Sequence, residues 1–156
     1  MNTELQTIIK NFKETLEGSP WFGKPVFSIL DEVNPAIVYK KPYETGHSLV
    51  EILYHMNTWS AFTLLRLEGD KTGVAATEAL DWRKIDPLQH NWSNALEEFK
   101  MLNENIINLM QTKEDSLLEE KVDYRKYNFR FLLNGLMKHH IYHLGQIAYI
   151  KNLLIP

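Results

Sequence analysis

The chain has 156 residues, a formal net charge of −3 and a hydrophobic content of 44 %, which are typical of one globular domain with a substantial core. Because acidic and basic residues are interspersed and form no basic stripe, nucleic acid is not an expected partner. The sequence contains no cysteine, which excludes disulfides, thiolate metal ligands and cysteine nucleophiles.

The sequence also carries no sign of membrane insertion or secretion. Its first 16 residues, MNTELQTIIKNFKETL, are polar and amphipathic and lack the regions of a signal peptide. No apolar run approaches the roughly 18 residues that a membrane span requires. We therefore expect a cytoplasmic protein that does not associate with membranes.

Four segments have the apolar spacing of amphipathic helices. The first ends near Gly18, and the second begins at Ser48, where Ser48 and Glu51 form a capping box, and closes at Gly69. The third and fourth run from about 92 to 111 and from roughly 129 to 154. No alternating pattern long enough for a sheet is present. The sequence predicts an all-α four-helix bundle with long crossover loops, formed by a single domain over residues 1–156.

The connections between these helices are long. Residues 19–46 contain four prolines, which exclude one continuous helix but allow a short one over VFSILDEV. Residues 70–91 are punctuated by Gly, Asp and Pro and are predicted as a loop that contains Trp82. Such connections leave room for a pocket at one end of the bundle.

Histidines occupy the apolar faces of the second and fourth helices. His143 is at the middle of the apolar face of the last helix, roughly 40° from His139 and roughly 60° from His140 around the helix axis, so spacing alone does not choose its partner. His55 faces inward on the second helix, one turn after Glu51. These residues are either core histidines bonded to nearby polar groups or ligands of a divalent cation.

A metal site explains this concentration of imidazole most simply. Each neutral ring has one donor and one acceptor, which are costly to bury unpaired, whereas a cation takes the ring lone pairs. Three histidines without a fourth protein ligand would form an open site, where water or substrate completes the coordination. A carboxylate-bridged di-iron centre is not expected, because Glu-x-x-His occurs once, at Glu44 and His47.

The segments GHSLVEILYHMNTW and GLMKHHIYHLGQIAYIKNLL, together with PWFGKPVFSILDEV, resemble the DinB/YfiT-like family. The most specific element is His-x-x-x-His-x-Gly-Gln near the C-terminus. The resemblance implies a four-helix bundle whose interior metal is held by His55, His139 and His143, with His140 as a neighbour that is not a ligand. It also implies zinc or nickel as the metal and a homodimer as the assembly.

The same resemblance suggests two functions. Characterised members include transferases and isomerases that use low-molecular-weight thiols, so we expect a metal-dependent enzyme, an S-transferase or hydrolase that acts on a small molecule. The alternative is a non-catalytic, dimeric, stress-associated bundle protein that binds metal. A fourth ligand from the long loops would favour this alternative.

Other residues near the histidines are open to two interpretations. Gln146 either orients a ligand beside the metal or bonds to a neighbouring loop. Glu51 is either a base or an outer partner of the site, or only the capping residue of its helix. Gly145 predicts close packing of another segment beside the metal, because glycine costs about 1 kcal/mol relative to alanine within a helix.

Aromatic residues and two further histidines carry no specific prediction. Five of the aromatic residues could contribute to a substrate pocket, although core or rim positions are the more common setting for such residues: Trp21, Trp59, Trp82, Trp92 and Tyr142. His47 and His90 are near helix starts and loops, where solvated histidines are ordinary.

Overall fold

The computed structural model describes residues 3–155, and within this range the chain forms six α-helices and no β-strand. They are α1 (Thr3–Glu17), α2 (Val26–Asp31), α3 (Leu49–Leu67), α4 (Val74–Ala79), α5 (Trp92–Met110) and α6 (Phe129–Leu154). Short 3₁₀ turns occupy Pro35–Ile37 and Asp115–Glu119. The all-α prediction is confirmed, and the four long helices have nearly the predicted bounds.

The four long helices form the bundle. α3 packs against both α5 and α6, and α1 packs against the same two helices from the other side. The fully buried rings of Phe12, Phe62 and Phe99 come from α1, α3 and α5 and fill the common interior. Burial of such side chains is the main stabilising contribution, at roughly 1.5–3 kcal/mol each. The predicted four-helix architecture is confirmed.

Helix α3 is the most deeply buried of the four and carries an unusual number of polar residues for a central helix. The hydroxyls of Thr58, Ser60 and Thr63 donate to the carbonyl oxygens four residues earlier, at 2.9–3.0 Å. These bonds satisfy the hydroxyls within the helix itself. His55 differs from them because none of its hydrogen-bond partners is in α3.

Side-chain caps fix where the helices begin. The Ser48 side chain accepts from the Glu51 amide, and the Glu51 carboxylate accepts from the Ser48 amide at 2.6 Å, which is the predicted capping box. Asn91 and Asn128 cap α5 and α6 in the same way, each accepting from the amide three residues later. These caps set the register of α3 and α6, and so the positions of their histidines.

The connection after α3 contains a short helix that the sequence pattern did not predict. α4 begins after Gly73, whose φ of 77° is in the left-handed region that favours glycine. At six residues, α4 is too short to show helical periodicity, so the prediction of a loop was wrong over Val74–Ala79.

The segment that follows α4, residues 80–91, is here called the strap because it is bonded to α3. Thr58 Oγ1 donates to the Leu80 carbonyl at 3.1 Å, and Arg83 Nη2 donates to Thr58 Oγ1 at 2.8 Å. The strap is thereby held beside the part of α3 that carries His55. Over the described range, no helix is long and apolar enough to cross a membrane.

Candidate metal centre

His55 of α3 meets His139 and His143 of α6 at one site. One ring nitrogen of each residue can be chosen so that all three are within 4.8 Å of one another, the kind of group that could hold a metal ion. The Nε2 atoms of His55 and His139 are 2.9 Å apart, and the His143 ring centroid is 4.6 Å and 4.4 Å from those of His55 and His139. We call these residues the three-histidine cluster.

His140 does not belong to this cluster. It is fully buried, and its Nε2 donates to Asn103 Oδ1 at 2.9 Å. Asn103 in turn donates to the Phe99 carbonyl, and the Phe99 ring packs on His140 at a centroid distance of 4.9 Å. The choice that spacing left open is therefore resolved in the structure, which brings His139 to the cluster and places His140 in the core.

Asp81 fixes the tautomer of His55. His55 Nδ1 is 2.7 Å from Asp81 Oδ1 and 3.2 Å from the Asp81 carbonyl oxygen. Because both oxygens accept, Nδ1 of the neutral ring carries the proton and Nε2 keeps its lone pair. Asp81 Oδ1 also accepts from Trp59 Nε1 at 2.7 Å, which holds the carboxylate in place. A carboxylate behind a histidine is the usual outer partner of a metal ligand.

Gln146 acts on His143 in the same way. Its Oε1 is 2.6 Å from His143 Nδ1, and an amide oxygen can only accept. The proton is therefore on Nδ1, and Nε2 of His143 keeps its lone pair. Gln146 bonds to a histidine of its own helix, whereas the sequence allowed either this kind of role or a bond to a neighbouring loop.

His139 has no such outer partner among the described residues, since its Nδ1 is buried without a hydrogen-bond partner. Because His55 Nε2 carries a lone pair, the 2.9 Å contact between the two Nε2 atoms is a hydrogen bond only if His139 Nε2 bears the proton. A divalent cation could replace that proton. The donor set thus fits a metal, with two rings already in the tautomer that ligation at Nε2 requires.

Burial keeps these rings neutral. It lowers the pKa of His139 to about 3, with a further contribution from the charges of His143 and His55, and it lowers the pKa of His143 to about 4. Burial also lowers the pKa of His55, although Asp81 opposes the shift. Burial therefore favours the neutral form of all three rings, which is the form that binds metal.

Trp82 of the strap forms one wall of the site. Its indole stacks on His55 at a centroid distance of 3.9 Å, and His47 stacks on its other face at 3.8 Å. An open cavity of about 450 Å³ lies against the cluster. It is lined by His47, His55, Trp82, His139, Tyr142, His143 and Gln146. The cluster is therefore accessible to a small molecule.

Other candidate residues are occupied elsewhere. The Glu51 carboxylate holds the start of α3 and is 3.3 Å from Lys41 Nζ, which agrees with its capping interpretation. His90 is bonded within the strap, where its Nδ1 accepts from the Asp86 amide at 2.9 Å. The expectation of close packing at Gly145 was wrong, because an added Cβ would meet nothing within 4 Å.

Two residues of the site could not be predicted from the sequence. Asp81 was part of a predicted loop, and His47 was expected to be merely solvated, whereas Trp82 was among the residues that could contribute to a pocket. Nothing in the local sequence marks Asp81 or His47, because their contacts depend on how the strap lies on α3. An adjacent carboxylate and indole in a long loop is too common a pattern to indicate a metal site.

The fold and the site together define the class: an all-α bundle in which three histidines from facing helices could hold a metal ion. The sequence-family model of the DinB superfamily matches residues 26–147, which is most of the chain. The chain therefore belongs to the DinB superfamily. No curated protein and no solved structure gave a significant match.

Asp81→Ala is expected to weaken zinc binding by roughly 10- to 100-fold, because His55 would lose the partner that fixes its tautomer. Isothermal titration calorimetry of the metal-free variant with zinc measures this change. Asp86→Ala, in the same strap but bonded to His90 and its neighbours, is the matched control and should bind like the wild type. Unchanged affinity in Asp81→Ala would show that the carboxylate does not support the site.

Proposed function

We propose that the protein is a metal-dependent enzyme in which His55, His139 and His143 hold a divalent cation, zinc or nickel. Its nucleophile would be a low-molecular-weight thiol or water, and its substrate a small molecule. The observation that carries this proposal is the pairing of Asp81 with His55 and of Gln146 with His143, which leaves an Nε2 lone pair on each ring beside an open cavity.

A cation bound to three imidazoles would supply Lewis acidity and lower the pKa of a thiol or water that completes its coordination. The chain supplies the surroundings. Asp81 and Gln146 hold two of the rings, and Trp82 covers one face of His55. The cavity leaves the remaining side open to a molecule from solution.

The alternative, a metal that only stabilises the bundle, would require a saturated site. Asp81 is the acidic residue that the strap brings beside the cluster, and its Oδ1 is engaged by His55 and Trp59. Among residues 3–155 the group able to hold a metal contains the three histidines and no carboxylate. Both facts favour an open coordination position at the metal. They therefore favour the metal-dependent enzyme over the non-catalytic alternative.

Thiol binding to the cobalt-substituted protein tests the proposal. Titration with 2-mercaptoethanol should produce a saturable sulfur-to-cobalt charge-transfer band in the near ultraviolet, because sulfur would enter the open position. Ethylene glycol, which replaces the thiol with a hydroxyl, is the control and should give no such band. A cobalt spectrum that no thiol changes would indicate a saturated site and support the non-catalytic alternative.

A further inference from the structure

A second cavity, of about 180 Å³, lies between α3 and α6 and shares His139 with the cavity at the three-histidine cluster. We call it the apolar pocket. Its other walls are mainly the side chains of Trp59, Tyr127, Phe131, Leu132 and Leu136, and Gly135 also lines it.

Two of the polar groups in its walls are already in use. Trp59 Nε1 donates to Asp81, and the Thr63 hydroxyl donates to the Trp59 carbonyl at 2.9 Å. Besides the His139 imidazole and Tyr127, the pocket therefore presents mainly ring faces and aliphatic carbon. Phe131 is 65 % exposed although it is a large aromatic residue, and its ring is 5.1 Å from that of Tyr127. A site of this kind binds apolar groups and discriminates against polar ones.

Gly135 keeps the apolar pocket open. It is within α6, where glycine is unfavourable by about 1 kcal/mol relative to alanine. A Cβ built there would meet nothing within 4 Å, so no neighbouring atom requires the glycine. A larger side chain at this position would instead project beside the walls of the pocket and reduce its volume.

We propose that the substrate carries two groups: a donor atom that binds at the metal centre, and an apolar substituent with a single ring, here called the apolar arm, that binds in the apolar pocket. A cavity of roughly 150 Å³ with apolar walls is enough for benzene, so 180 Å³ accommodates one ring. His139 borders both cavities, so a ring in the apolar pocket would lie next to one of the three histidines. This inference rests on the proposed function and adds the substrate class, a small metal-binding compound with an aromatic or similar arm.

The first test needs no metal. Toluene added to the metal-free, ¹⁵N-labelled protein should shift the amide resonances of Gly135, Leu136 and Thr63 but not that of Gly145. These shifts should disappear in Gly135→Leu, which fills the pocket, and shrink in Gly135→Ala, which adds one methyl group. Gly145→Leu is the matched control, since Gly145 is also in α6, has open space around it and does not line the pocket. Absence of toluene shifts in the wild type would overturn the inference.

The second test links the two cavities. The zinc-loaded protein should bind phenylmethanethiol roughly 10- to 100-fold more tightly than 2-mercaptoethanol, as burial of one ring predicts. Gly135→Leu should abolish this preference while its zinc content and its affinity for 2-mercaptoethanol stay unchanged, and Gly145→Leu should retain the preference.

The outcomes separate the two proposals. If both thiols bind with equal affinity, thiol binding at the metal centre is supported, and the proposal that the apolar pocket binds part of the substrate is wrong. If toluene binds in the pocket but neither thiol binds to the zinc-loaded protein, the thiol chemistry fails, and with it the link between the pocket and the metal. A preference that persists in Gly135→Leu would contradict the placement of the ring in the pocket.

Discussion

Replacing His143 with alanine is expected to abolish stoichiometric binding of zinc or nickel. The substitution removes one of three imidazoles and leaves Gln146 without its partner. Its effect on metal affinity should exceed the roughly 10- to 100-fold cost of losing an outer partner, because a direct ligand is lost. Isothermal titration calorimetry of the metal-free variant measures the difference from the wild type.

The control for this variant is His90→Ala, which removes an imidazole from the strap rather than from the cluster. Its zinc affinity should match that of the wild type. Full metal occupancy in His143→Ala would contradict the model of the site, because two histidines and solvent would then suffice.

The opposite pattern is expected for the neighbouring His140. His140→Ala should lower the free energy of unfolding by about 2–4 kcal/mol and leave metal binding intact. The substitution opens a cavity in the core beside Phe99 and removes the hydrogen bond to the buried Asn103 side chain. Urea unfolding of the metal-free protein measures the change in stability, and zinc titration measures the retained site.

Lys138→Ala is the matched control in the same helix. Lys138 is exposed, so its replacement should change the free energy of unfolding by no more than about 0.5 kcal/mol. If His140→Ala lost the metal and kept its stability, the assignments of His139 and His140 would have to be exchanged.

The helices were predictable because their signals are local. The capping box at Ser48 and Glu51, and the apolar periodicity of the long segments, are contained within each helix, and the structure confirms them. α4 escaped prediction because six residues cannot show a helical period, and its start depends on the left-handed Gly73.

The candidate site was predictable only in part. Helical periodicity predicted that His55 and His143 face the interior, but it could not predict whether His139 or His140 accompanies His143. That choice depends on the rotation of α6 about its axis, which is set by contacts such as the hydrogen bond from His140 to Asn103. The family resemblance supplied that choice. Asp81 could not be found from the sequence, since its contact with His55 exists only when the strap is bonded to α3.

The two glycines of α6 show how sequence reasoning can select the wrong residue. Gly145 was predicted to allow close packing beside the metal because glycine is unfavourable within a helix, yet neither Gly145 nor Gly135 has a close neighbour. Gly135 is the one beside a cavity, a fact that depends on Trp59 of α3 and Tyr127 of the connection before α6. Only the assembled bundle distinguishes the two positions.

Elemental analysis of untagged protein, purified without added metal or chelator, tests the central claim most directly. The three-histidine cluster predicts about one divalent ion per chain. Protein that is metal-free and takes up neither added zinc nor added nickel would contradict the account, and would make His55, His139 and His143 ordinary buried histidines.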